Sequence, residues 1–326
     1  MNKAFLAALE EEISRLDIGQ NPSELYDPIH YLLSLGGKRI RPVLCLLTYS
    51  LFKSDWEKQV PAALSVEIFH NFTLMHDDIM DKAPIRRGKQ TVHEKWNDNI
   101  AILSGDVMLV NAYQYLNKVK GLSLEAFQHL LGRLSRIAAE VCEGQQFDMN
   151  FEAYDSVHED EYLNRIRLKT AVLLGFSLQL GAILAGAEKE DSEKLYRFGV
   201  DIGVGFQLKD DLLDVFADQA KFGKQVGGDI ISNKKTFLLI KANELAEGDA
   251  KMKLEYWLEA KTFNKEEKVA AVTAIYDSLG IKSLTEAKMK AYFDKGFEQY
   301  AALEVPNKKI YISLLQLTQD LVHREK

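Results

Sequence analysis

Cysteine, proline and long apolar runs are all scarce in this chain of 326 residues. Its two cysteines, Cys45 and Cys142, lie far apart, each in an apolar stretch. That excludes a disulfide framework and predicts two buried free thiols in a reducing compartment. Only six prolines interrupt the chain, and no series of alternating strand-like segments with turn dipeptides occurs, so a sheet-based fold is not expected. No run of about 18 consecutive apolar residues is present, which argues against a transmembrane helix. The acidic, amphipathic N-terminus lacks the apolar core of a signal peptide. Together these absences predict a cytoplasmic protein. Positive charge is not in excess either: the formal net charge of −7 disfavours general nucleic-acid binding.

What is present is helical periodicity. Apolar residues recur three and four apart, as in Leu6, Leu9, Ile13 and Leu16, and again in Leu314, Leu317 and Leu321. Stretches 64–79 and 173–187 are apolar around most of their circumference, as befits helices at the centre of an all-helical body. No interruption reads as a flexible linker. The expectation is one all-α domain over residues 1–326. The charged stretch after Ala246 carries no legible motif.

The strongest signal occurs twice. Asp77-Asp78-Ile79-Met80-Asp81 and Asp210-Asp211-Leu212-Leu213-Asp214 both read Asp-Asp-x-x-Asp, and each follows an apolar helical segment. Residues four apart share a helix face about 5–6 Å apart, so Asp77 projects with Asp81, and Asp210 with Asp214. Like charges so placed repel, and a bound cation removes the penalty. Magnesium suits such pairs: it takes one or two carboxylates, keeps waters and shares oxygens with a diphosphate. One copy arises by chance in roughly 7% of chains this long, and two copies in roughly 1% or fewer.

Basic residues sit where phosphate would be held. Gly36-Gly37-Lys38-Arg39-Ile40-Arg41-Pro42 ends one helix and begins another, clustering cations near exposed backbone N–H groups. Arg86-Arg87-Gly88 follows the first aspartate motif closely, and guanidinium forks bind phosphate oxygens in bidentate fashion. Two acidic and two basic clusters suit two diphosphates, one metal-bound and one metal-free.

These residues resemble the trans-prenyl diphosphate synthase family, which includes farnesyl, geranylgeranyl and longer-chain synthases. The resemblance rests on GGKRIRP, HDDIMD, RRGKQTVH, AILSGD, EGQQFD, RLKTA, GFQLKDDLLD and GKQVGGDIISNKKTF, spread from about Leu32 to Leu239. It implies a single bundle of about ten or more helices around a central cavity, a homodimer, and no partner beyond the two diphosphate substrates. Asp77, Asp81 and Asp210 would be magnesium ligands, with Asp78, Asp211 and Asp214 supporting them, around about three ions per site. Arg86, Lys169, Lys224 and Lys234 would hold the allylic diphosphate. Lys38, Arg41, His70 and Arg87 would hold isopentenyl diphosphate. Thr170 and Gln207 would lie beside the reacting carbons. The glycine-rich stretch 223–228 is a candidate lid.

Product length is read on the helix before the first motif. Phe72 lies five residues before Asp77, about 7.5 Å along the axis, where its ring would form a floor; Phe69 sits one turn deeper, and Thr73 is small. One aromatic at the positions five and four before Asp77, Phe72 and Thr73, resembles the geranylgeranyl, C20, pattern, with C15 and longer products as alternatives. A terpene cyclase would usually replace the second aspartate motif, and a non-catalytic helical subunit would need neither motif.

Overall fold

A computed structural model describes residues 2–217 and 227–323. The chain divides into two compact units. The first comprises Met1–Arg136, Phe176–Tyr196 and Glu304–Leu314; the second comprises Ile137–Gly175, Arg197–Leu303 and Leu315–Lys326. Four of the five unit boundaries fall within helices, and the fifth, between Leu303 and Glu304, lies in the short segment after Ile281–Ala301.

In the first unit α1 (Asn2–Ser14), α2 (Ser23–Ser34), α3 (Ile40–Phe52), α4 (Val60–Met80), α5 (Val92–Lys95) and α6 (Asp98–Leu116) follow in order. Helix α4 starts with Pro61 in its first turn, where a missing N–H costs nothing. It is buried on most sides, as its all-round apolar composition predicts, and packs against α6, α3 and α1. Gly105 sets the α4–α6 approach: a Cβ there would lie 2.2 Å from His76 Nε2. Strands β1 (Ile85–Arg86) and β2 (Lys89–Gln90) form a small antiparallel hairpin after α4. Its tip carries Arg87, whose φ of 53° is left-handed.

The later elements are α7 (Leu124–Ala153), α8 (Glu159–Ile166), α9 (Val172–Ala185), α10 (Lys189–Phe216) and α11 (Gly228–Ile231). They continue with α12 (Phe237–Leu245), α13 (Gly248–Glu259), α14 (Lys265–Ser278), α15 (Ile281–Ala301) and α16 (Lys308–His323). A five-residue π-helical segment, Arg167–Ala171, joins α8 to α9. Such one-turn irregularities recur at functional sites. Gly144 of α7 allows the close approach here, since a Cβ would meet the Lys169 backbone nitrogen at 2.3 Å. The second unit has two apolar clusters, one around Tyr162, Leu208 and Phe237, the other around Leu212, Leu238, Val272 and Tyr276.

The all-α class expected from the sequence is the class observed. Two details differ. Cys45 is buried, but Cys142 is exposed on α7, so only one of the two free thiols belongs to the core. The continuous helical stretch Glu159–Ala185 is long and apolar enough to cross a membrane, although no unbroken apolar run signals it; 83% of its apolar window is buried within the protein. Burial there comes from neighbouring helices, as for the core helix of a globular body.

Candidate active site

Both aspartate motifs sit at helix C-termini, where the helix dipole already disfavours negative charge. At the end of α4, the Asp81 N–H donates to the Asp77 carbonyl at 2.8 Å and the Ala83 N–H to the Asp78 carbonyl at 2.9 Å. Lys82 then turns the chain out with a left-handed φ of 49°. Asp77 is half-buried, Asp78 buried and Asp81 exposed. Arg86 returns from β1 and donates Nε to both Asp78 oxygens, at 2.9 and 2.8 Å. Its Nη2 lies 3.7 Å from Asp77 Oδ2. Burial pushes the Asp78 carboxyl up, and Arg86 only partly offsets it.

The basic cluster of the same unit is assembled from three segments. Arg87 donates Nη1 to the Gly36 carbonyl, and Gly37, at φ 148°, leaves room for the guanidinium, whose Nη2 would be 3.0 Å from a Cβ there. Arg41 Nε is buried without a hydrogen-bond partner, an unspent donor of the kind an anion satisfies. His70, on α4, is held well below the ordinary imidazole range by burial and then by the positive charges of Arg41, Arg87, Arg86 and Arg39. It is therefore neutral near pH 7 and offers a hydrogen bond, not a charge. Lys38 is exposed beside them. Arg39, which the sequence groups with these cations, turns inward instead. It adopts a left-handed φ of 47° and donates to Glu10, Glu67 and the Leu33 carbonyl at 2.8–2.9 Å. Its charge is spent in the core.

In the second unit the motif closes α10. Asp210 is exposed, Asp211 buried and Asp214 half-buried. Asp211 accepts from the Tyr162 hydroxyl at 2.6 Å and from Gln207 Nε2 at 3.1 Å. Gln207 therefore braces the motif. Asp214 Oδ2 accepts the Asp229 N–H at 2.9 Å, and burial pushes its carboxyl up. Lys169, in the π-helical segment, and Arg165 both donate to Asp148 at 2.6 Å. Burial would raise Asp148, but these two cations outweigh it and hold the carboxyl below its ordinary value. Thr170 is half-buried one residue on. Lys234 is exposed, with its Nζ 3.8 Å from Asp229 Oδ1. Lys224 and most of the candidate lid lie outside the described residues.

Two residues here escape motif reading. Asp148 ends the EGQQFD segment, but its pairing with Lys169 spans 21 positions. Asp229 lies in the glycine-rich segment; burial, with Asp211 and Asp214 nearby, raises it to about 7 despite Lys234. A lone aspartate after two glycines gives no sequence cue to that environment.

Among the described residues no three acidic, histidine or cysteine side chains converge into a ready-made metal cage. The donor chemistry fits magnesium: all-oxygen carboxylates, paired four apart at the two helix ends.

An all-helical chain with acidic helix ends and clustered guanidinium and ammonium groups is of the helical, diphosphate-handling class. Residues 22–276 match the family described as Polyprenyl synthetase. The short chain isoprenyl diphosphate synthase of Methanocaldococcus jannaschii is 41% identical over 278 residues, covering 85% of this chain and 84% of that protein. The geranylgeranyl diphosphate synthase of Methanosarcina mazei is 37% identical, covering 93% and 91%. A crystal structure of a geranylgeranyl pyrophosphate synthase superposes with a TM-score of 0.92 at 40% identity, covering 100% and 99%. The chain belongs to the polyprenyl synthetase family, and is a transferase of that kind.

Proposed function

We propose that this protein condenses an allylic diphosphate head to tail with isopentenyl diphosphate, and that its main product is C20 geranylgeranyl diphosphate. The observation that carries the reading is the pair of complete aspartate motifs, each ending a helix in a unit that also holds phosphate-suited cations. Relatives named geranylgeranyl synthases support the product length.

Asp77 and Asp81, with Asp210, would hold about three magnesium ions; Asp78, Asp211 and Asp214 would orient them. When bound, magnesium supplies charge neutralisation for a leaving diphosphate. Arg86, Lys169 and Lys234, with Lys224, would draw the allylic diphosphate's charge so that its C–O bond ionises, a preorganised electrostatic role. Lys38, Arg41 and Arg87 would anchor isopentenyl diphosphate. Neutral His70 would add a hydrogen bond without adding repulsion among the guanidinium groups. The double bond of isopentenyl diphosphate attacks the allylic cation, and a proton leaves to the released diphosphate. Thr170 and Gln207 would line the reacting carbons, Gln207 while bracing Asp211.

Phe72 is 7% exposed and stacks edge-on against both Phe69 and His76, with centroids 5.5 and 4.9 Å apart. Phe69 is fully buried behind it. This supports Phe72 as the floor and Phe69 as its backing. Phe72→Ala should lengthen the product, read by chain-length analysis; an unchanged product spectrum would remove Phe72 from this role.

We also infer a homodimer in the cytoplasm. Ile102, Leu103 and Val110 of α6 are 41%, 57% and 56% exposed, an apolar stripe that a second copy would cover. Sedimentation as a monomer at micromolar concentration would sink that part.

The deciding assay supplies purified protein with magnesium, isopentenyl diphosphate and farnesyl diphosphate. A C20 diphosphate that disappears on chelation, and that requires both substrates, is the expected result. Turnover of farnesyl diphosphate alone to a hydrocarbon would instead establish a cyclase.

A further inference from the structure

The charged region after Ala246, which carries no motif, delivers a buried cation to the second unit. Lys268 of α14 has 0% of its surface exposed. Its Nζ donates to Asn233 Oδ1 at 2.6 Å and lies 4.2 Å from the centroid of the Phe263 ring. Among the described residues no carboxylate lies within ion-pair distance of it. A buried ammonium without a counter-charge is costly, and burial accordingly lowers its pKa.

What that ammonium holds is a turn. Asn233 follows α11 with a left-handed φ of 54°, a conformation that asparagine tolerates better than most residues. Its carboxamide is gripped at both ends, the oxygen by Lys268 and the Nδ2 by donation to the Leu258 carbonyl at 2.9 Å. The next residue is Lys234. Its N–H donates to the Asp229 carbonyl at 2.9 Å, and its own carbonyl accepts the Thr236 N–H at 2.8 Å. A cavity of about 10 Å³ is lined by Asp229, Asn233, Lys234, Lys268 and Tyr276, among others. That is room for a single water between these polar groups.

We propose that Lys268 is a positioning residue for the allylic half of the reaction. By clamping the Asn233 carboxamide it fixes the left-handed turn that aims Lys234. The inference rests on the function proposed above for Lys234, and it adds a residue from a helix that no sequence motif marks. A residue that only filled the core would affect both substrates alike, whereas a clamp on Lys234 affects one.

The test uses the full-length protein and two variants. Lys268→Met keeps the stem and removes the ammonium. Asn233→Gly keeps access to the left-handed backbone and removes the carboxamide. Each is expected to raise KM for the allylic diphosphate about 10-fold while leaving KM for isopentenyl diphosphate unchanged. The double variant should be no worse than the worse single variant, because both act on one turn. Calorimetric titration with pyrophosphate at saturating magnesium should weaken in parallel. If both KM values rise together, if neither moves, or if the two effects multiply, Lys268 is not a clamp on Lys234. Asn233→Gly alone decides the matter if Lys268→Met does not fold. A wild-type protein without condensation activity would sink the function; the pyrophosphate titration would still report on the clamp.

Discussion

The two aspartate motifs have the same spelling but different surroundings. Asp78 in the first is neutralised by a guanidinium that reaches both of its oxygens. Asp211 in the second is held by uncharged donors, a tyrosine hydroxyl and a carboxamide. Two cations near the second motif, Lys169 and Arg165, both serve Asp148. The buried carboxylate of the first motif is thus held by a charged donor and that of the second by neutral ones, with Asp229 close to the second. A motif's spelling fixes which groups can bind metal; the contacts around it set how far its carboxylates repel one another.

The largest effect expected is loss of chemistry from either motif. Asp77→Ala and Asp210→Ala should each lower kcat by about 10³-fold, in keeping with removal of preorganised charge stabilisation. Steady-state rates at saturating magnesium measure this. Wild-type turnover in either variant would remove that aspartate from the chemistry. A smaller contrast separates the braces. Arg86→Met leaves a buried carboxylate without its guanidinium and should cost about 3–5 kcal/mol of stability. Tyr162→Phe removes one hydrogen bond from an uncharged donor to a carboxylate and should cost about 1–3 kcal/mol. Urea unfolding of the metal-free protein compares them, and equal losses would erase the distinction between charged and uncharged bracing.

How far the sequence reached follows from the range of each interaction. The all-helical class and the placement of both aspartate motifs at helix ends are legible because they rest on local periodicity. The pairing of Arg86 with Asp78 was near the limit, since eight residues and one hairpin separate them. Tyr162 with Asp211, 49 residues apart, and Lys268 with Asn233, 35 apart, depend on tertiary packing that no local pattern encodes. Arg39 misleads for a different reason. Between Lys38 and Arg41 it looks like one more surface cation, but its left-handed backbone turns it toward Glu67. Cys142 illustrates the reverse: its apolar neighbours are buried while its own helix face is not.

The smallest effect follows from Asp229, buried near Asp211 and Asp214. Asp229 is raised to about 7, chiefly by burial and then by Asp211 and Asp214 acting against Lys234. Because its folded pKa exceeds the unfolded value, the folded state favours the protonated form. The resulting stability is full below about pH 4 and is lost as pH rises through about 7. Asparagine imitates the protonated group at every pH. Metal-free Asp229→Asn should therefore gain about 2 kcal/mol over the parent at pH 8 and nothing at pH 4, read by chemical denaturation at both values. The first motif should gain less, because Arg86 offsets part of the burial that raises Asp78, so Asp78→Asn should gain less than Asp229→Asn at pH 8. An equal gain at pH 8 from both substitutions would mean that the two acidic sites are strained alike, whatever their counter-charges.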